Sequence, residues 1–328
     1  MSTHCTITEE NFDWLTSCWK DHSNDLIWNT PFVLPPWMKV WWQSFAPDAS
    51  PLFLTIRQED TVIGIAPLLV RDRVASLIGS PDVCDYMDFI VAPGKESDFF
   101  EALLADLKQR KIRLLDLRSL RPDSAAISSL AGTAQRLGYS VASHHEDLSL
   151  EVDLPVTWDE YLQILTSKQR HEIKRKLRRL EEAGNIDYRI IDKPEDVPGF
   201  IEIFLRLFIE SREDKATFMT GEMVAFFKLM TTTMAEAGLL RSSILELDST
   251  PVAALIAFDH NDTVYLYNSA YDPQYSSLSV GVLSKALNIK DSIERRKKRF
   301  DFLKGAEQYK YHLGGREVQL STCQITIG

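Results

Sequence analysis

The sequence is poor in the residue patterns that mark several common classes of protein. Its four cysteines, Cys5, Cys18, Cys84 and Cys323, are scattered and form no C-x-x-C pair, which argues against a zinc site or a disulfide framework. It has no run of 18 apolar residues, so a membrane-spanning helix is not expected. A P-loop, a dinucleotide-binding fingerprint and a Ser-His-Asp arrangement are also missing.

The chain also has no excess of positively charged residues. The chain has 37 Lys and Arg against 47 Asp and Glu, a net charge of −10, which argues against general affinity for nucleic acids but allows a local basic patch. The segment Met1–Trp14 is polar and acidic, unlike a secretory signal, so we expect a cytoplasmic protein. A length of 328 residues with 45% hydrophobic composition is typical of a globular protein of two domains.

Hydrophobic periodicity and turn residues predict the individual elements of the fold. The predicted helices are Glu9–Lys20, Pro36–Phe45, Ser97–Gln109, Ser124–Leu137, Thr157–Leu165, Lys168–Ala183, Glu195–Arg212, Gly221–Ala237, Ser279–Arg296 and Ala306–His312. The predicted strands are Leu52–Arg57, Thr61–Val70, Val74–Gly79, Met87–Val91, Ile112–Leu117, Tyr139–Leu150, Asp187–Ile191, Leu239–Leu247, Val252–Phe258, Val264–Ala270, Arg299–Leu303 and Glu317–Thr326.

The two halves of the chain repeat one order of elements, namely helices, antiparallel strands, and then helix, strand, helix and strand. Mixed sheets flanked by helices fit the α/β or α+β class. No residue-level repeat is visible, so the duplication rests on this order alone. We place the boundary near Asp153–Thr157, which gives domains 1–153 and 154–328.

The helix Lys168–Ala183 has the strongest sequence signal. Thr166 and Gln169 form a capping box before it, and Gly184 ends it. Seven of the twelve positions from 168 to 179 are Lys or Arg. Such charge commonly covers a solvated face, and in an acidic protein the alternative is an anion-binding surface, with Arg170 and Lys174 as its candidate ligands.

A polar loop between two predicted strands, residues 79–88, contains three regularly spaced carboxylates. Asp82, Asp85 and Asp88 stand three residues apart. They either converge on the amine of a substrate or accept hydrogen bonds from nearby backbone amides. The sequence leaves both interpretations open.

The segment Arg299–Gly315 is the most informative stretch of the chain. Phe300 and Phe302 flank Asp301 on a short predicted strand. Burying a carboxylate is costly unless it has a cationic partner or a chemical purpose. Asp301 is therefore either paired structurally, for example with Lys310, or used in catalysis.

The motif F-D-F-L-K-G-x-E-x-Y-K, from Phe300 to Lys310, resembles the closing signature of the acetyltransferases named for cellulose biosynthesis (the CelD/BcsL-like group). That group belongs to the GCN5-related N-acetyltransferase (GNAT) superfamily and is similar to the Fem-type peptidyltransferases. Other segments that fit its pattern are Pro31–Phe45, Ile63–Val70, Leu77–Val91 with its D-Y-x-D element, Lys168–Gly184, Pro251–Phe258 and Tyr265–Leu283. The resemblance implies tandem GNAT-like domains, each a mixed, largely antiparallel sheet flanked by helices.

The resemblance also implies an acyl-coenzyme A donor, expected to be acetyl-coenzyme A, and no metal. Unpaired amides at a helix N-terminus suit a pyrophosphate. In the first half the corresponding turn contains Glu96 and Asp98, which would repel it, so the second half is favoured. The candidate donor-binding residues there are Tyr271, Ser279, Val280 and Gly281. The Q/R-x-x-G-x-G/A run familiar in the superfamily is absent.

In the implied reaction an amine attacks a thioester, or an aminoacyl ester in the Fem-type variant. Asp301 would act as base, Tyr309 would protonate the leaving thiolate, and Lys310 would stabilise the oxyanion or bind a phosphate. The acceptor, a small molecule or a cell-envelope precursor with an amine, is expected in the cleft between the domains. Its candidate ligands are Asp85, Tyr86, Asp88, Arg170 and Lys174.

Two other functions compete with this interpretation. In a Fem-type ligase the donor is an aminoacyl-tRNA, and the basic helix would follow the RNA backbone. In a non-catalytic module the same helix would bind an anionic polysaccharide or a lipid headgroup.

Overall fold

The computed structural model describes residues 5–21, 23–46, 49–211 and 213–328, apart from the side chain at 214. Its strands are β1 (Cys5–Glu10), β2 (Pro51–Gln58), β3 (Thr61–Arg71), β4 (Val74–Leu77), β5 (Ile90–Val91), β6 (Leu114–Leu120), β7 (Ser140–Asp153), β8 (Ile186–Ile191), β9 (Ser242–Leu247), β10 (Thr250–His260), β11 (Thr263–Tyr271), β12 (Arg299–Lys304) and β13 (Arg316–Thr326). Its α-helices are α1 (Phe12–Lys20), α2 (Pro35–Phe45), α3 (Glu96–Gln109), α4 (Ala131–Arg136), α5 (Trp158–Ile164), α6 (Ser167–Ala183), α7 (Val197–Ser211), α8 (Glu213–Phe218), α9 (Gly221–Glu236), α10 (Val280–Glu294) and α11 (Gln308–His312).

The chain divides into two compact units. The first comprises Met1–Leu148 together with Val318–Gly328, and the second comprises Ser149–Glu317. The last eleven residues thus group with the N-terminal part of the chain, whereas the boundary expected from the order of elements assigns them to the second domain. They do so because most of β13 pairs with β6.

In the first unit the strands follow the order β1-β2-β3-β4-β6-β13-β7, and β5 pairs with β3. Strands β1 to β4 form an antiparallel series, and β4 pairs with β6 in parallel. A parallel pair needs a crossover, which here contains α3. That helix packs against β1, β2 and β3 and buries its apolar side, including Phe99, Phe100 and Leu103.

The second unit repeats this plan. Residues Ser149–Asp153 of β7 pair with β12, and the order continues β12-β11-β10-β9-β8. Strands β8 to β11 are antiparallel, β11 and β12 are parallel, and α10 forms the crossover between them. Helices α7 and α10 pack against β10 and β11. The predicted α/β class, with mixed sheets flanked by helices, is confirmed.

The second unit contains two tight hairpins, β9–β10 and β10–β11, and their turns have the conformation that joins twisted strands closely. Asp248 and Ser249 between β9 and β10, and Asn261 and Asp262 between β10 and β11, all have positive φ. Two successive residues with positive φ are the mark of a type I′ turn.

Some element predictions are wrong. Glu9 and Glu10 belong to a strand, β1, that the sequence analysis missed, because β1 pairs with β2 over six residues and this pairing outweighs helical spacing. The helix predicted over Ser124–Leu137 is a π-helical turn, Ala126–Leu130, followed by α4. Met87–Val91 contains only the two-residue strand β5.

Candidate functional site

The parallel strands β11 and β12 separate after a short paired stretch. Thr263, Val264 and Tyr265 pair with Arg299, Phe300 and Asp301. Within the described residues their pairing stops there, although β11 continues to Tyr271 and β12 to Lys304. The register of β10 with β11 shifts where Ile256 pairs with Asn268 and Ala257 with Leu266. Tyr267 is therefore an extra residue, and such a bulge bends a strand away from its neighbour.

Helix α10 starts at this separation without a side-chain cap. Ser279, its N-cap residue, has left-handed backbone angles (φ 60°, ψ 31°) and makes no capping hydrogen bond with its side chain. The Val282 and Leu283 amides donate to the Ser279 carbonyl at 3.0 Å. The amides of Val280 and Gly281 precede these first helical hydrogen bonds. Backbone amides at the start of a helix have no acceptor within the helix. The first turn contains no acidic residue.

The four predicted donor-binding residues come together at this turn. Gly281 lies so close to Tyr271 that a Cβ at position 281 would be 3.0 Å from Cδ1 of the tyrosine ring. Val280 is fully buried, and Ser279 precedes it in the turn. In the first unit, by contrast, α3 begins with Glu96, whose carboxylate accepts a hydrogen bond from the Gly94 amide at 3.2 Å.

The predicted catalytic carboxylate is buried at the end of β12. Asp301 is 1% exposed, and its Oδ1 accepts a hydrogen bond from the Leu303 amide at 2.8 Å. Leu303 has a φ of +60°, which is uncommon for a residue other than glycine. The Asp301 hydrogen bond helps to hold this strained turn.

The side chain of Lys310 stabilises the segment that follows β12 through hydrogen bonds. It is 2% exposed, and its Nζ donates to the carbonyls of Leu303 and Gly305 at 3.0 Å each and to the Lys304 carbonyl. It also lies 2.9 Å from Oε2 of Glu307. The Lys310 ammonium is thus surrounded by acceptors of its own chain.

Tyr309 is suited to hold a proton. Burial, with a smaller effect of Glu307, raises the pKa of its phenol far above the usual value, so the hydroxyl stays protonated at all ordinary pH values. Its ring lies beside Phe302, with the centroids 6.4 Å apart. A phenol in this state carries its proton at every working pH, although the raised pKa makes it a weaker acid.

A second buried lysine, Lys285 of α10, is not among the site residues predicted from the sequence. It is 5% exposed, its Nζ donates to the Gly281 carbonyl at 2.7 Å, and it lies 4.7 Å from the centroid of the Tyr309 ring. Burial is the main cause that lowers the pKa of this ammonium to about 7, and the charge of Lys215 adds to it. The signal in the sequence is a lysine inside the largely apolar stretch 280–289.

The predicted acceptor residues of the acidic loop are in the first unit. Asp88 is 5% exposed and accepts hydrogen bonds from the amides of Phe89, Ala125 and Ala126 and from Asn29. This is the backbone-capping arrangement that the sequence analysis considered as an alternative.

The other two members of this element differ in their burial. Tyr86 is buried, with the Arg121 guanidinium 5.0 Å above its ring, whereas Asp85 is half-buried.

The basic helix α6 has the predicted capping box, formed by Thr166 and Gln169. Arg170 donates to Oε1 of Gln163 at 2.7 Å and is half-buried, whereas Lys174 is exposed. Part of the positive charge is neutralised within the helix, because Arg175 pairs with Glu172 at 2.8 Å.

Comparison with known proteins supports an acyltransferase fold. Residues 167–311, from α6 to α11, match the family model described as "Acetyltransferase (GNAT) domain". The comparison with curated proteins gives no match. Among solved structures, FemX is similar at 11% identity with a TM-score of 0.66, over 97% of this chain and 96% of that one.

Two further structures have the same fold. A conserved protein of unknown function from Bacteroides thetaiotaomicron is 11% identical with a TM-score of 0.60, over 98% and 100% of the two chains. L-PGS from Bacillus licheniformis is 8% identical with a TM-score of 0.56, over 87% and 90%. At these identities the likeness is one of fold. The GNAT part of the predicted resemblance is supported by the family-model match over residues 167–311.

Two further features are absent from the described residues. These residues contain no helix with the length and apolar character that crossing a membrane requires, and no group of three His, Cys, Asp or Glu side chains arranged to hold a metal ion.

Proposed function

We propose that the protein is an N-acyltransferase that moves an acyl group from an acyl-coenzyme A, with acetyl-coenzyme A as the expected donor, to an amine. The observation that carries the proposal is the uncapped, uncharged start of α10 beside the separating strands β11 and β12. Free amides and the positive end of the helix dipole suit a pyrophosphate. The match of residues 167–311 to a GNAT domain covers the same elements.

In this proposal the reacting groups lie at the separated ends of β11 and β12. An extended thioester would lie between β11 and β12, where backbone groups not used in strand pairing can bind it. Tyr309 would donate a proton to the thiolate as it leaves. Lys310 and Asp301 would keep the 303–310 segment in position through the hydrogen bonds described above.

Ser279 offers a sharp test of the donor site. Asp and Asn both tolerate the left-handed conformation that residue 279 adopts, so Ser279→Asp and Ser279→Asn should both fold. The carboxylate of Ser279→Asp would oppose the pyrophosphate, and we expect at least about a tenfold weaker affinity for acetyl-coenzyme A. Ser279→Asn should bind like the wild type, as measured by calorimetry and thermal shift. Equal affinity of both variants would contradict this location.

A second candidate function is Fem-type transfer from an aminoacyl-tRNA. It is favoured by the basic character of α6 together with the similarity of fold to FemX over almost the whole chain. In that case the donor would bind through many phosphates, and affinity would depend strongly on salt. A non-catalytic module for anionic polysaccharides or lipid headgroups would need α6 but not the start of α10.

A further inference from the structure

Two buried lysines lie near the separated ends of β11 and β12. They differ in the number of hydrogen-bond acceptors around the ammonium group. Lys310 has three backbone carbonyls and the Glu307 carboxylate around its ammonium. Among the described residues, Lys285 has one hydrogen-bond acceptor, the Gly281 carbonyl at 2.7 Å. A buried ammonium normally needs acceptors for all three of its protons. The bonding of Lys310 is therefore structural, whereas Lys285 has hydrogen-bonding capacity left.

The position of Lys285 ties it to the start of α10. Lys285 follows Gly281 by one helical turn, and its Nζ returns to the Gly281 carbonyl. The same Nζ lies over the ring of Tyr309, the residue proposed to protonate the leaving thiolate. Lys285 thus contacts both the turn at the start of α10 and the ring of Tyr309.

The groups around Lys285 are mainly positive. Lys215 of α8 and Lys310 of α11 oppose its charge, and Glu307, just before α11, favours it. Lys215 itself donates to the Ser269 carbonyl of β11 at 2.6 Å. Tyr309 stays a neutral phenol. With burial added, the pKa of Lys285 falls to about 7, so a large share of the molecules hold it as a neutral amine near neutral pH.

We propose that Lys285, rather than Asp301, accepts the proton that the acceptor amine loses during acyl transfer; this rests on the function proposed above. The amine nitrogen bonds to the acyl carbon, the carbon–sulfur bond breaks, and the proton from nitrogen moves to Nζ of Lys285. The thiolate takes one proton from Tyr309, and the proton held on Lys285 passes to the resulting Tyr309 phenolate, so that the phenol and the neutral amine are both restored and protons balance. A base with a pKa near the working pH is effective in such a step.

The main alternative is that Lys285 acts as a cation and binds an anionic group of the donor or the acceptor. The two roles predict opposite pH dependence. A base works when neutral, so kcat/KM should rise tenfold per pH unit up to about 7 and then level off. An anion ligand works when charged, so the rate should fall as the pH rises through the same point.

Three variants separate these roles. Lys285→Met removes the amine, and Lys285→Arg keeps a permanent charge that cannot accept a proton. Lys290→Met changes an exposed lysine of the same helix and serves as the control. Release of thiol from acetyl-coenzyme A should be followed between pH 5.5 and 9, with methoxyamine as an acceptor whose own pKa lies below that range. Thermal unfolding of each variant reports whether it folds.

We expect Lys285→Met and Lys285→Arg to lose about 100-fold or more of kcat/KM, and Lys290→Met to match the wild type. Acetyl-coenzyme A should bind to Lys285→Met with unchanged affinity. Rescue of the rate by Lys285→Arg, or a rate that falls through pH 7, would overturn the proposal in favour of an anion ligand. Full activity of Lys285→Met would overturn both roles.

A titration that needs no donor completes the test. In protein labelled with 13C at the lysine ε-carbons, the NMR signal lost in Lys285→Met identifies Lys285. A midpoint near pH 7 supports the proposal, and a midpoint near the ordinary value of about 10 overturns it. Failure of the wild type to bind acetyl-coenzyme A would instead overturn the donor assigned under "Proposed function", while this titration still decides the state of Lys285.

Discussion

Asp88 shows what burial does to a carboxylate that has many hydrogen-bond donors. It accepts from three backbone amides and from Asn29, and each of these bonds favours the charged form. Burial acts in the opposite direction and is the larger effect, so the pKa of Asp88 rises from 3.8 to about 6. In the folded protein this carboxyl therefore holds a proton at pH values where the unfolded chain has released it.

The raised pKa of Asp88 gives stability a defined pH dependence. Because the folded state binds the additional proton, the contribution is fully present below about pH 4 and is lost as the pH rises through about 6. A shift of about two pKa units corresponds to about 3 kcal/mol of unfolding free energy. Asp88→Asn should remove this part of the pH dependence, measured by urea unfolding at pH 4 and pH 7.

Asp82→Asn is the matched control, because Asp82 is an exposed residue of the same loop. It should leave the difference between the two pH values as in the wild type. If Asp88→Asn also leaves that difference unchanged, the carboxyl of Asp88 does not titrate as described.

The positive charges of helix α6 are divided between ion pairs within the helix and side chains without such a partner. Arg175 and Lys176 are held by Glu172, and Arg178 lies 3.6 Å from Glu182. Lys168, Lys174 and Arg179 are exposed, and no carboxylate pairs with them in the part of the chain that the structure describes. The surface that remains for an anion is therefore smaller than the sequence suggests.

Salt dependence distinguishes a long polyanion from a small ligand at this surface. If tRNA binds along α6, its affinity should fall by orders of magnitude between about 50 and 200 mM salt, and Lys174→Glu/Arg179→Glu should flatten that slope. We expect a shallow slope, because the net charge of −10 opposes a long nucleic-acid track. Binding is measured by fluorescence anisotropy of labelled tRNA.

The control for this experiment is Lys193→Glu/Lys228→Glu, which makes the same change of charge at exposed positions outside α6. A steep slope that only the α6 variant flattens would favour the Fem-type function over transfer from coenzyme A.

The elements also show what the sequence can and cannot predict. Local signals were sufficient for α6, whose capping box and stop residue are both in the sequence, and for the strands β9, β10 and β11. They were insufficient for β1, because its partner β2 is some 40 residues away. The family motif located Asp301, Tyr309 and Lys310, but nothing local distinguishes Lys285 from an exposed lysine. Its burial results from the packing of α10 against Tyr309 and the sheet.

The first unit depends on residues that lie more than 160 positions later in the chain than the rest of it. Leu320 is fully buried and belongs to that unit. Leu320→Ala should cost about 2–5 kcal/mol, and the resulting openings should expose β6 and its neighbours. Hydrogen exchange followed by mass spectrometry should show faster exchange in β6 than in β10.

Leu255→Ala provides the opposite case, since Leu255 is a fully buried residue of β10 in the second unit. It should accelerate exchange in β9 to β11 and leave β6 protected. Equal acceleration of both regions by either variant would mean that the two units unfold as one cooperative body.

The place of β13 has a consequence for synthesis on the ribosome. About 195 residues separate the end of β6 at Leu120 from the start of β13 at Arg316, which corresponds to about 10–40 s of translation. During that time the emerging N-terminal part has an unpaired strand edge, the kind of surface on which nascent chains aggregate and to which chaperones bind. The first unit therefore completes its sheet only after the second unit has been synthesised.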